Sequence, residues 1–164
     1  MIPKYRILQR RITEELGEID RTVATIQRHW ASAASGAADP EAYVNSVALN
    51  LHSFYSGLER IFELVAMQLD ESRLGGADWH SELLRQMTID LEEARPAMLS
   101  KATMLELDEY RKFRHRIRSI YATHLDPKRM EDLVIDLPDV WRQVRQEIAT
   151  FVGFLDSLAG ADRI

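Results

Sequence analysis

"YRILQRRITEELGEIDRTVATIQRHW", residues 5–30, sets Tyr5, Leu8, Ile12, Leu16, Ile19, Val23, Ile26 and Trp30 at steps of three and four. Only a helix of 3.6 residues per turn brings such positions onto one face, so the stretch predicts a long amphipathic helix with a single apolar stripe. The same spacing recurs downstream. After the small-residue break "SAASGAADPE", Asp39-Pro40 has the form of an N-cap followed by a first-turn proline, and Val44, Val47, Leu51, Tyr55, Leu58, Phe62, Val65 and Leu69 mark a second helix.

Gly75-Gly76 breaks the chain again, and Leu83, Leu84, Met87 and Leu91 predict a shorter third helix over about Ser81 to Arg95, closed by Pro96. A fourth helix is expected from Ser100 or Thr103 through Leu107, Tyr110, Phe113, Ile117 and Ile120. Asp126-Pro127 restarts the chain. Leu137-Pro138 predicts a kink or a break before a last stripe of Val140, Trp141, Val144, Ile148, Phe151, Leu155 and Leu158. No stretch alternates with period two for long enough to make a strand. The expectation is an all-α, up-and-down bundle of four long helices plus one short helix, forming one domain over residues 1–164.

Composition narrows the function classes. With 164 residues, 46% hydrophobic and 29% charged, the chain has the make-up of an ordinary globular domain. It has no cysteine, which removes disulfides, thiolate zinc sites and a cysteine nucleophile. "MIPKYRILQRRITEELGEID" lacks the basic-then-apolar order of a signal peptide, and no run approaches the roughly 18 apolar residues of a membrane helix. No membrane association and a cytoplasmic location are therefore expected. A formal net charge of -5 argues against general coating of nucleic acid, so any such role must be local.

A local site has its candidate in "RKFRHRIRSIYATHLD", residues 111–126, where Arg111, Lys112, Arg114, Arg116 and Arg118 crowd eight positions together with His115. At 100° per residue, Phe113, Ile117, Ile120 and His124 share a buried face, and Arg111, Arg114, Arg118 and Tyr121 form a second stripe beside it. Two readings stand side by side. Glu106, Asp108 and Glu109, one turn upstream, are placed to pair with these cations on a solvated surface. Alternatively the guanidiniums form an anion site, since their geometry matches phosphate, with His115 as a group that titrates near neutral pH. On the second helix, Asn45, His52, Ser56, Glu59 and Glu63 make a polar stripe. Such a stripe either faces solvent or lines a cleft opposite Arg114, with Glu59 or Glu63 orienting a guanidinium. His29, His52 and His80 are too scattered to form a metal set, and no Gly-rich phosphate loop occurs, so no metal and no cofactor is implied.

"VALNLHSFYSGLERIFELVA" (47–66) and "LDEYRKFRHRIRSIYATHLDPKRM" (107–130), in this order within a helical chain of this size, resemble the HEPN superfamily. The similarity points to its HepT-like branch, ribonuclease toxins of toxin-antitoxin modules paired with a minimal nucleotidyltransferase antitoxin. Such proteins carry an Arg, a polar residue, three variable residues, a His, one further residue and a Tyr. On "RHRIRSIY" the Arg falls on Arg114, the polar position on His115 and the Tyr on Tyr121, whereas Ser119 stands at the His position.

The resemblance implies a homodimer whose two motifs face each other across an RNA cleft. There the ribose 2'-hydroxyl attacks the adjacent phosphate without a metal, histidine moves the proton and arginine stabilises the phosphoryl charge. Arg114, His115 and Ser119 are the candidate catalytic positions, and Arg111 and Arg118 the RNA-phosphate contacts. Tyr121 is the expected acceptor of a nucleotide from the antitoxin. A serine hydroxyl does not titrate near pH 7, so Ser119 predicts impaired chemistry unless another histidine acts. The competing expectations are a non-catalytic subunit that binds the nucleotidyltransferase or its nucleotide substrate, and a helical interaction module whose arginines are surface pairs.

Overall fold

The computed structural model describes residues 2–121 and 124–161. Among them five helices follow one another: α1 (Ile2–Ala34), α2 (Pro40–Gln68), α3 (Trp79–Gln86), α4 (Lys101–Ile117) and α5 (Pro127–Ala161). Among the described residues there is no strand, only an isolated antiparallel bridge between Leu91 and Arg95. The bundle of four long helices and one short one is the architecture that the periodicity predicts.

Local chemistry sets most of the boundaries. Gly36, at φ +79°, takes the left-handed conformation just beyond α1. The Asp39 carboxylate accepts from the Ala42 N–H at 3.2 Å, and Pro40 opens α2. Ser100 caps α4 by accepting from the Thr103 N–H at 3.2 Å, while its own N–H donates to Glu147 on α5 at 2.7 Å.

α2 is the central helix, with Val47, Leu51, Phe54, Leu58, Ile61, Phe62 and Val65 all inaccessible to solvent. α1 packs closely along it: a Cβ on Gly57 would lie 2.9 Å from Ile19 Cγ1, so the absent side chain permits the approach. On the other side, Phe54 meets Tyr110 of α4 and Trp141 of α5 edge-on, with centroids 5.2 and 5.9 Å apart. The Tyr110 hydroxyl donates to the Leu133 carbonyl at 2.7 Å, joining α4 to α5. α5 and α1 are tied by Asp20, which accepts from Trp141 Nε1 at 2.9 Å and from Arg145 Nη2 at 2.8 Å.

Three boundaries differ from expectation. α3 stops at Gln86 although the apolar spacing continues to Leu91, because Arg95 is buried and organises the chain around itself. Its guanidinium donates to the carbonyls of Gln86, Ile89 and Pro96 and to both oxygens of Asp70, which gathers the 87–99 segment into a loop instead of another helical turn. α5 runs through Pro138 without a break. That ring faces solvent, so the backbone bond it removes lies on the outer side of the helix. Finally, α4 ends at Ile117, before the basic stretch does.

Candidate functional site

The early end of α4 divides the basic stretch. Phe113 is buried and Ile117 half-buried, but Ile120 and His124 are exposed, so the predicted buried face does not continue past the helix. Arg118 is the C-cap residue, and Tyr121, 77% exposed, lies beyond the helix and off the predicted arginine stripe, its ring edge-on to His124 at 5.7 Å. Ser119 is exposed and donates its hydroxyl to the Arg116 carbonyl at 3.1 Å. His115 and Arg116 also face outward. Arg111 is half-buried and donates to Asp108 at 2.7 Å, and Lys112 lies 3.4 Å from Asp108 and from Glu109. These two cations thus pair with acidic neighbours one turn upstream.

Arg114 behaves differently, because its side chain points into the junction of α2, α3 and α4 and is buried. One nitrogen, Nη2, donates to Glu59 Oε2 at 2.9 Å, and Nη1 donates to Ser56 Oγ at 3.3 Å. The guanidinium carbon lies 4.8 Å from the centroid of the Tyr55 ring. Glu59 is itself buried in the apolar stretch of α2, so the polar stripe of that helix is not a solvated face. Glu59 orients a guanidinium, as one of the sequence alternatives has it, but the guanidinium belongs to the same chain.

The third member of the cluster is one that sequence reasoning passes over. His80, in the first turn of α3, brings Nδ1 to 2.8 Å from Glu59 Oε2 and to 3.2 Å from Arg114 Nη2. Trp79 stacks on the imidazole with centroids 3.6 Å apart. A lone pair on Nδ1 would oppose the carboxylate oxygen, so the 2.8 Å contact assigns the proton to Nδ1, which donates to Glu59. The one signal for this in the sequence is Glu59 itself: a carboxylate amid Leu58, Ile61 and Phe62 needs cationic or N–H partners.

Electrostatics extend the cluster along α2. His52 is held below the usual imidazole range by burial and by the positive charges of Arg114 and Arg118. Glu63 is pushed up by burial and by its neighbour Glu59. Tyr55 is pushed far above the usual phenol range by burial, and its buried hydroxyl has no hydrogen-bond partner among the described residues. The assembly thus holds a fixed cation, a carboxylate and two imidazoles around one end of α4. Among the described residues no cluster of three or more His, Asp or Glu side chains is placed to hold a metal ion, and no helix is long and apolar enough to cross a membrane.

No curated protein and no solved structure matches the chain significantly. A family model described as "HepT-like protein" does match, over residues 46–155. That span takes in most of α2, all of α3 and α4 and most of α5, including Glu59, His80 and Arg114, and leaves α1 outside. On this match the chain belongs to the HepT-like family.

Proposed function

We propose that this HepT-like protein is the toxin-type component of a HEPN/nucleotidyltransferase module, an endoribonuclease scaffold that works as a homodimer and binds RNA phosphate at the C-terminal end of α4. The observation that carries the reading is the convergence of Ser56 and Glu59 on Arg114, the residue at the family's arginine position, with His80 on the same Glu59 carboxylate. Arg114, held by Glu59, anchors the site from beneath, while Arg118, exposed and near enough to depress His52, and Arg111, on exchanging Asp108 for the ligand, meet the phosphates. Ser119 and His115 complete the catalytic positions that the motif assigns. An exposed Tyr121 suits the acceptor of a nucleotide from the antitoxin.

A second reading has its own support. Arg114 already donates from both terminal nitrogens, and Ser119 has no titrating group, which suits a non-catalytic subunit that docks the nucleotidyltransferase or its nucleotide. RNA cleavage in EDTA by the unaltered protein and by Ser119→His separates the two. Cutting by either one, abolished by Arg114→Lys, supports the ribonuclease scaffold. No cutting by either, with stable co-purification of a nucleotidyltransferase, supports the docking subunit.

A further inference from the structure

Resting on the ribonuclease reading above, we propose that His80, held by Glu59, is the proton-accepting catalytic residue of this protein and does the work for which Ser119 is chemically unfit. The geometry has the three parts of an activated general base. Glu59 Oε2 accepts from Nδ1 at 2.8 Å, which fixes the tautomer and leaves the lone pair on Nε2. Nε2 makes no hydrogen bond to the described residues, and the His80 side chain keeps 27% of its surface exposed, whereas Glu59 keeps 7%. Arg114 Nη2 lies 3.2 Å from the same ring, which places the imidazole at the end of α4 where Arg118 is exposed, so a phosphate drawn to that cation comes up beside His80.

His80 adds a second partner to a carboxylate that Arg114 already compensates, and does so from a half-exposed position. The Arg114–Glu59 pair already neutralises the buried charge, and Arg114 already bridges α4 to α2. Stacking on Trp79 holds the ring plane, which restricts where Nε2 points. His52, whose charged form burial and the two arginines disfavour, lies on the same face of α2, but no carboxylate among the described residues is hydrogen-bonded to it.

The step assigned to His80 is transfer of the ribose 2'-hydroxyl proton to Nε2. The freed oxygen forms a bond to phosphorus, and the bond from phosphorus to the 5'-oxygen breaks. That oxygen takes a proton from water, leaving a 2',3'-cyclic phosphate and a 5'-hydroxyl, and the imidazolium then returns its proton to solvent.

The test uses the full chain and a mixed-sequence single-stranded RNA oligonucleotide in EDTA. It compares the unaltered protein, His80→Ala, Ser119→His and the His80→Ala/Ser119→His double variant, with folding followed by circular dichroism. The proposal expects the unaltered protein to cut and His80→Ala to lose roughly 10²- to 10⁴-fold. It further expects added imidazole to restore part of that loss, which a structural residue would not allow, and the double variant to recover cutting. Unchanged cleavage by His80→Ala overturns the proposal and leaves the ribonuclease reading intact. So does a loss in folded His80→Ala that neither imidazole nor Ser119→His repairs. Cutting by Ser119→His and equally by the double variant, with the unaltered protein silent, assigns the proton to position 119 and removes His80 from the chemistry, and silence from all four proteins overturns both readings. Should His80→Ala fail to fold, His80→Gln, which keeps a donor for Glu59, replaces it, and a full rate in that variant overturns the proposal.

Discussion

Glu59 and Arg114 meet at 2.9 Å across 55 residues of sequence, with side chains 7% and 6% exposed. Their charges are stripped of water by the apolar faces of α2 and α4 and compensated by one another, with Ser56 and His80 taking further hydrogen bonds. Removing one partner leaves the other charge buried and alone. Arg114→Met is expected to cost about 3–5 kcal/mol in urea unfolding, whereas Glu59→Leu/Arg114→Met together should cost clearly less than the sum of the single changes. Additive losses would mean that the two side chains are not coupled.

Position 52 reports the same field from the next turns of α2. Burial, then Arg114 and Arg118, hold the His52 imidazole below its ordinary value near 6.5. A histidine whose folded pKa is depressed contributes stability that is fully present above the unfolded value and is lost as pH falls through the folded one. Proton NMR titration is expected to place His52 below 6.5, and Arg118→Gln should move it upward. An unmoved His52 would separate Arg118 from the cluster.

The buried pair Asp70 and Arg95 governs where α3 and its histidine sit. Their side chains are 3% and 0% exposed, and Gln86, the last residue of α3, donates to Asp70 Oδ2 at 2.7 Å. Arg95→Met should destabilise by about 3–5 kcal/mol. Because His80 lies on that short helix, sub-denaturing urea should loosen α3 first in this variant, seen as early loss of amide protection at Leu83 and Leu84. Protection lost evenly over the bundle would show that the pair holds the whole fold and not this corner.

Much of the bundle is legible in the sequence, because four long apolar stripes at helical period have one economical arrangement, and Asp39-Pro40 and Asp126-Pro127 mark two of the starts. The third helix is overextended by the same logic, since periodicity carries no information about a guanidinium that gathers carbonyls from 86, 89 and 96. The basic stretch is visible as chemistry but not as geometry: neither glycine nor proline announces the end of α4 at Ile117. His80 escapes a linear reading altogether, as it sits after a glycine turn, 21 residues from Glu59 and 34 from Arg114. Only folding brings the three together.

Asp20 offers a pH test of the α1–α5 seam, away from the candidate site. Arg145 hydrogen bonding holds its carboxyl below the usual range; burial opposes this, and Trp141 adds to the lowering. A carboxylate with a depressed folded pKa adds stability above its unfolded value near 3.8 and loses it as pH falls through the folded one. The pair is partly solvated, so its share is roughly 1 kcal/mol or less. Asp20→Asn, which keeps an acceptor for Trp141, should therefore unfold at lower urea than the unaltered protein at pH 7, and the two should converge toward pH 3. A gap that persists at pH 3 would trace the loss to packing at the seam and not to the charge on Asp20.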